Sequence, residues 1–471
     1  MGSEYSRNDP FSSPAFKNLR ELILDLEQRE VGSRELEEIE RAIHQGILAV
    51  EADLMRRQVE RFDLDVDEVQ FEDQPYRRKM KSRQLYTGLA GTFEIERTLY
   101  VPRSKTGKAI CPLELRAGMV EDVWTPLAAR LMTRAVASTT PKEAAELFGE
   151  WGGMKPSTSS LDRLPKRLSE KWEEQRERFE AELRTLDMVP RAAVSVVVSM
   201  DGVQVPVKDG QRAEKRSQED KRPRGPAGFR EVGCGTLSFY DERGKRLKTA
   251  RFGRMPEAKK VTLKAQLEAE LESIYSSRPD LLLVCLADGF DDHWDFLSKL
   301  SSRFVPPGKK KNEAIDLFHV LERVKMALNA YHGDHTPESK AAFEQCRIWL
   351  RGKSNGAERV IRALRHRRQK VRGAKRKAID REINYLSKRK SRLRYKRLLR
   401  RKLAVGSGVM EAACKTLATQ RMKRSGMSWL EEGGQAILTF RSLIQSNRWE
   451  TGWDLMLQQY RLDVTPSRRA G

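Results

Sequence analysis

Residues 192–203, AAVSVVVSMDGV, constrain this chain more than any other stretch. Val194, Val196, Val197 and Val198 form a β-branched run, which reads as a strand buried on both faces and ending at Met200-Asp201-Gly202. A carboxylate at the exit of a central strand is costly to bury unless a cation meets it, and a divalent metal held by oxygen ligands is a ready partner. An Asp-Gly pair also simply turns a strand around. Asp201 therefore needs partners from further along the chain.

A basic, proline-containing loop follows at 208–230, then a hairpin of 231–240 and 246–252 joined by Asp241-Glu242-Arg243-Gly244. A helix is expected over 257–276. Residues 281–287, LLLVCLA, read as a second fully buried strand, and this one also ends in Asp-Gly, at Asp288-Gly289. A short helix over 291–300 leads to a third apolar strand at 313–319, which runs into a helix over 320–330. Much later, Gly406-Ser407-Gly408 opens a helix carrying Glu411. Alone, a carboxylate in a first helical turn merely offsets the helix dipole. Taken in order, Asp201, Asp288 and Glu411 are how a ribonuclease-H-like sheet gathers three carboxylates: two from neighbouring central strands and one from a helix packed across them. Two divalent cations about 3.5–4 Å apart need shared oxygens of this kind, and the substrate would be a phosphodiester.

The front of the chain is mainly helical. Leu19, Leu22, Ile23 and Leu26 share one face, and Leu36, Ile39, Ile43 and Ile47 share another, so 13–62 reads as a helical hairpin or dimerisation arm, or as a pair packed on its own chain. Residues 63–75 read as an acidic linker, 83–102 as a small sheet and 119–136 as a helix. Over 138–167, Thr140-Pro141 opens one helix, Gly152-Gly153 breaks the chain and a second helix starts at Pro156-Ser157. This fits a helix-turn-helix with Ser157, Thr158, Ser159, Ser160 and Arg163 as short readers of a DNA groove; two ordinary helices joined by a glycine turn fit as well. A charged helix is expected over 166–186.

The 90 Lys and Arg against 67 Asp and Glu leave a net charge of +23, which favours a polyanionic partner. No stretch of about 18 apolar residues suits a membrane span. Most of the excess lies in 345–405, with roughly two dozen Lys and Arg against Glu358, Asp380 and Glu382. Apolar residues recur there at helical spacing, so the segment reads as a basic helical insertion. Arg367, Arg368, Lys370, Lys388, Arg389 and Lys390 are its candidate DNA contacts. Five scattered cysteines without a CxxC pair argue against disulfides or a zinc ribbon, and His332 with His335 lack thiolate partners.

The motifs MDGV at Asp201, LADGFDDHW at Asp288, IDLFHVLERV at Asp316 and VGSGVMEAACKTLATQRMKRSGMSW at Glu411 resemble the DDE transposases of bacterial insertion sequences. The ISKra group is the nearest match and the Mutator-like enzymes a more distant one. The resemblance spans about 194–449 and leaves the first hundred residues without a counterpart. It implies that Asp201, Asp288 and Glu411 are the catalytic triad and hold two Mg²⁺ ions, with Mn²⁺ as the substitute. The helical insertion before Glu411 belongs to the same pattern. Asp316 and His319 look like the family's aspartate-histidine motif; His319 would orient a phosphate or a triad carboxylate, or else be a core histidine. Asp291 and Asp292 are assigned to a helix N-terminus. Arg421, Lys423 and Arg424 are candidate phosphate contacts, while Trp294 and Trp429 suit base stacking or core packing.

The expected function is a transposase that binds the ends of its element, frees 3′-hydroxyl ends and joins them to target DNA. A homo-oligomer in the bacterial cytoplasm, associated with the nucleoid, is implied. The alternatives are a catalytically silent, domesticated DNA-binding regulator and a ribonuclease-H-like nuclease without strand transfer. The expected domains are 1–80 helical, 81–120 β, 121–190 helix-turn-helix, 191–335 catalytic core, 336–404 basic insertion, 405–447 catalytic helix and 448–471 tail.

Overall fold

The computed structural model describes residues 11–28, 32, 35–104, 107–208 and 227–467. The basic loop expected after Asp201 lies mostly outside them. The chain divides into two units, Met1–Gln175 with Glu450–Gly471, and Arg176–Trp449. The C-terminal segment thus belongs with the first unit. No helix among the described residues is long and apolar enough to cross a membrane.

In the first unit, α1 (Pro14–Gln28) and α2 (Leu36–Glu60) pair as the expected hairpin, with Ile23, Ile43 and Ile47 left exposed. Strands β1 (Glu68–Phe71), β2 (Gln74–Gly88) and β3 (Gly91–Pro102) form an antiparallel sheet completed by Thr465–Pro466. The acidic segment 63–75 is therefore partly sheet, not a linker. Its turn uses Glu72 and Asp73, both at positive φ (49° and 58°), so the strands are joined by a two-residue turn of the primed type without the usual Asn-Gly signal. Helix α3 (Pro112–Ala117) precedes α4 (Pro126–Ser138), α5 (Pro141–Trp151) and α6 (Thr158–Glu174). The helix expected over 119–136 starts only at Pro126 because Glu121 and Asp122 are left-handed and close a turn against Trp124. Thr140 and Glu143 form a capping box on α5, Ser157 caps α6, and α4, α5 and α6 pack together. Leu161, Leu164, Leu168 and Trp172 form the buried face of α6.

The second unit begins with α7 (Arg176–Leu186), so the charged helix expected over 166–186 is two helices parted at Gln175. Strands β4 (Ser195–Val207), β5 (Gly228–Tyr240) and β6 (Arg246–Arg254) are antiparallel neighbours; α8 (Val261–Ser277), β7 (Leu282–Ala287), α9 (Asp291–Phe304), β8 (Asn312–Ile315) and α10 (Leu317–His332) then alternate. The sheet order is β6-β5-β4-β7-β8, with β4, β7 and β8 parallel. This mixed five-stranded sheet with helices is compatible with a ribonuclease-H-like fold. Helices α11 (Pro337–Gly352), α12 (Gly356–Gln369), α13 (Gly373–Lys388) and α14 (Tyr395–Arg400) occupy the basic segment. Their apolar faces, including Leu350, Leu364, Ile383 and Leu398, join the core of the sheet. Helix α15 (Gly408–Cys414) then passes through a π-helical stretch, Lys415–Thr419, into α16 (Gln420–Met422), and α17 (Glu431–Gln445) packs along β6.

Beside α17, Arg448 forks onto Glu270 of α8 at 2.7 and 2.8 Å, and its Nε donates to Asp187 at 2.8 Å. Glu270 and Arg448 are both buried. Removing one member leaves a buried charge unmatched. Arg448→Ala is expected to destabilise this unit by about 3–5 kcal/mol in urea unfolding, and the Arg448→Met, Glu270→Leu pair to recover most of that loss.

Candidate active site

The parallel pairing of β4 with β7 sets Val198 opposite Cys285, and three residues further along both chains stand Asp201 and Asp288. In β8, Ile315 pairs with Ala287, and the amide of the next residue, Asp316, donates to the Ala287 carbonyl at 2.8 Å. Three aspartates thus reach the same end of neighbouring strands. The strand does not end at Asp201, as its Asp-Gly suggests: β4 continues to Val207, and Asp201 pairs with Cys234 of β5. Pairing with β5 stabilises the continuation after β7 has ended.

Burial raises the pKa of Asp201, and the charge of Asp288 adds to this. The Gly202 amide, which donates to Oδ1 at 2.7 Å, acts in the opposite direction together with His293 and Lys260. Asp288 behaves otherwise. Burial would raise it, but hydrogen bonds from His293 and the Phe290 amide, with His293 and His319 nearby, hold it below the ordinary carboxylate range. His293 Nδ1 lies 3.2 Å from Asp288 Oδ1 and the Phe290 amide donates to the same oxygen at 3.1 Å. The Trp294 indole donates to the Asp288 carbonyl at 2.6 Å, and its ring is buried with Arg392 4.2 Å above it. Trp294 packs in the core and is not open to a base.

Helix α15 covers the same face of the sheet: Thr236 of β5 donates to Met410 Sδ at 3.7 Å, and Cys414 Sγ lies 3.8 Å from Asp201 Oδ2. The neighbouring Cys234 thiol and burial raise the Cys414 pKa, so it is a protonated filler. Glu411 stands three residues before Cys414, one turn along the helix, and is exposed. Asp201 and Asp288 offer a hard divalent cation only oxygens, which suits Mg²⁺ or Mn²⁺. Among the described residues no three His, Cys, Asp or Glu side chains converge as metal ligands, so Glu411 is not drawn in with the two aspartates.

Asp316 is 4% exposed. It caps α10 by accepting from the His319 amide at 2.7 Å, and its other oxygen accepts from the Ser407 amide, clasping the loop before Glu411. Its oxygens hold backbone. His319 is half-buried beside the Tyr385 ring, 6.1 Å between centroids, close enough to act on Asp288. The Tyr385 hydroxyl lies over Gly289, where a Cβ would come within 2.2 Å of it, so any larger residue after Asp288 would have to displace the Tyr385 ring.

The candidate DNA contacts divide. Lys388 and Arg389 pair with Asp291 at 2.8 and 2.9 Å, and Arg389 also donates to the Gly289 carbonyl; they clamp the Asp288 loop to α13. Asp292 pairs with Lys264. Arg368 binds Asp380 at 2.7 Å, and Arg367 bonds His332 at 3.3 Å. Arg421 is 2% exposed and lies 5.1 Å over the Trp429 ring, so it does not face a phosphate. Trp429 donates to the Met422 carbonyl at 2.9 Å. Lys370, Lys390, Lys423 and Arg424 are exposed. On α6, Ser157 and Ser160 bond each other at 3.0 Å, while Thr158 and Arg163 are exposed.

The site also contains groups that sequence reasoning missed. Lys260 bridges Glu231 of β5 and His293, its Nζ lying 2.9 Å from His293 Nε2. The partners come from segments far apart in the chain, and only the HW pair following Asp288-Gly289 hinted at His293.

These features define a carboxylate site at the end of neighbouring inner strands of a mixed sheet, held by backbone amides and His293. No protein-family model matches this sequence, and no curated protein matches it. Among solved structures, one similar chain is that of the Drosophila P element transposase strand transfer complex. It is 13% identical, with 71% of this chain and 80% of that chain covered, at a TM-score of 0.26, a likeness too slight to bear on fold or function.

The two aspartates should respond oppositely to neutralisation. Because folding raises the Asp201 pKa, the unfolded chain releases that proton first, and stability falls as pH rises beyond the ordinary value of 3.8. Asp288 is depressed, so its contribution is present above the ordinary value and lost as pH falls through the folded value. In metal-free buffer at about pH 7, Asp201→Asn should raise Tm and Asp288→Asn lower it, with both differences fading towards about pH 3. Scanning calorimetry at the two pH values checks the signs.

Proposed function

We propose that this protein is a DDE-type DNA transposase acting on phosphodiester bonds through Asp201, Asp288 and Glu411. The observation that carries the reading is the strand register that sets Asp201 beside Asp288, under a helix bearing Glu411. Asp201 and Asp288 would hold Mg²⁺, with Glu411 completing the set. The bound ions would supply an activated water or 3′-hydroxyl and stabilise the departing oxygen. The protein's own share is to fix the aspartates, through the Gly202 amide for Asp201 and His293 with the Phe290 amide for Asp288. Asp316 clasps the loop that leads into the helix bearing Glu411.

DNA is the partner that suits the charge. On α12, α13 and the turn between them, Arg362, Arg365, Lys370, Arg372, Lys375 and Lys377 are exposed and make no ion pair among the described residues. Recognition of the element's ends is assigned to α5 and α6 through Thr158 and Arg163. Synapsis of two ends requires a homo-oligomer. A catalytically silent DNA-binding regulator is the main rival, since the three carboxylates are not gathered at one point among the described residues.

A duplex carrying the gene's own flanking DNA separates the two. With Mg²⁺, the wild-type protein is expected to release 3′-hydroxyl ends, and Asp201→Asn and Glu411→Gln to bind equally well while cutting at least about 10³-fold more slowly. Saturated binding without cleavage by any of the three would favour the regulator. Substituting Arg362, Arg365, Lys375 and Lys377 by Gln should flatten the slope of log K against log salt by about 0.9 for each phosphate that the protein no longer neutralises.

A further inference from the structure

Asp288 presents its two oxygens unequally. Oδ1 accepts from both His293 Nδ1 (3.2 Å) and the Phe290 amide (3.1 Å), whereas Oδ2 has no hydrogen bond among the described residues. Two donors on one oxygen fix the rotation of the carboxylate and leave the other oxygen open to a ligand. The proton on Nδ1 is itself determined. At 2.9 Å from Nε2 stands the Lys260 ammonium, which has only donors, so Nε2 must accept and Nδ1 must carry the hydrogen.

Lys260 is firmly held. Its ammonium is paired with the Glu231 carboxylate, and its backbone sits in the left-handed region, φ 53°, directly after Lys259 at φ 54°. Two consecutive non-glycine residues in that region persist only where the surroundings over-determine them. Glu231 passes over Gly202, where a Cβ would lie 2.3 Å from its carboxyl group, so the chain next to Asp201 makes room for it. His293 is 2% exposed and packs against Phe290. The sequence Glu231–Lys260–His293–Asp288 is therefore a connected line of hydrogen bonds and ion pairs from β5 to the end of β7.

We propose that His293, held by Lys260 and Glu231, is a positioning residue that fixes Asp288 so that Oδ2 is the oxygen offered to a divalent cation. Nothing in this role requires His293 to touch substrate. It rests on the metal-binding part of the functional reading above and extends it to residues that coordinate nothing themselves. Loss of such an orienting partner lowers metal affinity by about 10- to 100-fold.

The test is Mn²⁺ binding to the full-length protein, followed by electron paramagnetic resonance of the free ion, without DNA. His293→Phe keeps the volume but removes the donor, and is expected to weaken Mn²⁺ by about 10- to 100-fold. His293→Asn places an amide donor near the Nδ1 position and should return to within about threefold of wild type, a rescue that a merely structural role would not produce. Lys260→Met, which frees the tautomer but leaves the ring, should fall between them. Asp201→Asn calibrates the site. If Asp201→Asn weakens Mn²⁺ while His293→Phe binds as wild type does, the positioning role is overturned and the carboxylate site stands. If the wild type binds Mn²⁺ no better than Asp201→Asn, both fall. Should His293→Phe unfold, as judged by circular dichroism, the Asn and Met variants decide: equal affinity of Lys260→Met and wild type overturns the proposal.

Discussion

Parallel hydrogen bonding between β4 and β7 is the constraint on which the rest of the second unit depends. It holds two acidic side chains next to each other at one end of the sheet, where burial and repulsion from Asp288 oppose ionisation of Asp201. Much of the surrounding structure relieves that repulsion. Lys260 and His293 stand against it, the Gly202 and Phe290 amides point into it, and Arg389 and Lys388 close over the adjoining loop through Asp291. Hydrophobic burial of the Val196–Val198 segment and of Val284 to Ala287 keeps the strands in place. An arrangement of this kind gives up stability for a charged site, and the strained pair Lys259-Lys260 lies next to it for the same reason.

Much of this was legible in the sequence, and the parts that were not have physical causes. Apolar runs revealed β4, β7 and β8, and the helices between them followed from periodicity; the strand expected over 313–319 stops at Ile315, because Asp316 caps α10 and Leu317 to His319 are already helical. Asp201-Gly202 read as a strand end because Asp and Gly are poor strand formers; pairing with β5 across a hairpin overrides that preference. The strand at Glu68–Phe71 escaped notice because Glu72 and Asp73 occupy turn positions that usually call for Asn or Gly. At the site, two aspartates were visible from their strands, whereas Glu231, Lys260 and His293 become neighbours only through tertiary folding, and no local pattern links them.

The cationic residues show how composition misleads in detail. An excess of Lys and Arg pointed to a polyanion, yet not every member of the excess faces outward. Arg421 stacks on Trp429, Arg392 lies over Trp294 and bonds Glu313, and Arg368 is engaged by Asp380. A guanidinium can pack on an aromatic face and bond a carbonyl at once, so arginine serves as internal mortar as readily as a surface charge. The six exposed cations on α12, α13 and their connecting turn are the better guide to a polyanion surface, because no acidic side chain among the described residues pairs with them.

Asp316 pins together the two ends of the basic helical excursion. Its carboxylate bonds the His319 amide at the start of α10 and the Ser407 amide, 91 positions beyond Asp316, and beside it the Leu317 amide donates to the Val405 carbonyl at 2.9 Å. Departure and return of the whole excursion are thus stitched together at one spot on the sheet. Chain length added or removed inside such a closed detour changes the closure entropy only slowly and leaves the stitch where it is. Evolution can therefore lengthen or recharge the exposed turns of the excursion without moving the helix that follows it, whereas its apolar faces and the Lys388-Arg389 clamp stay tied to the sheet.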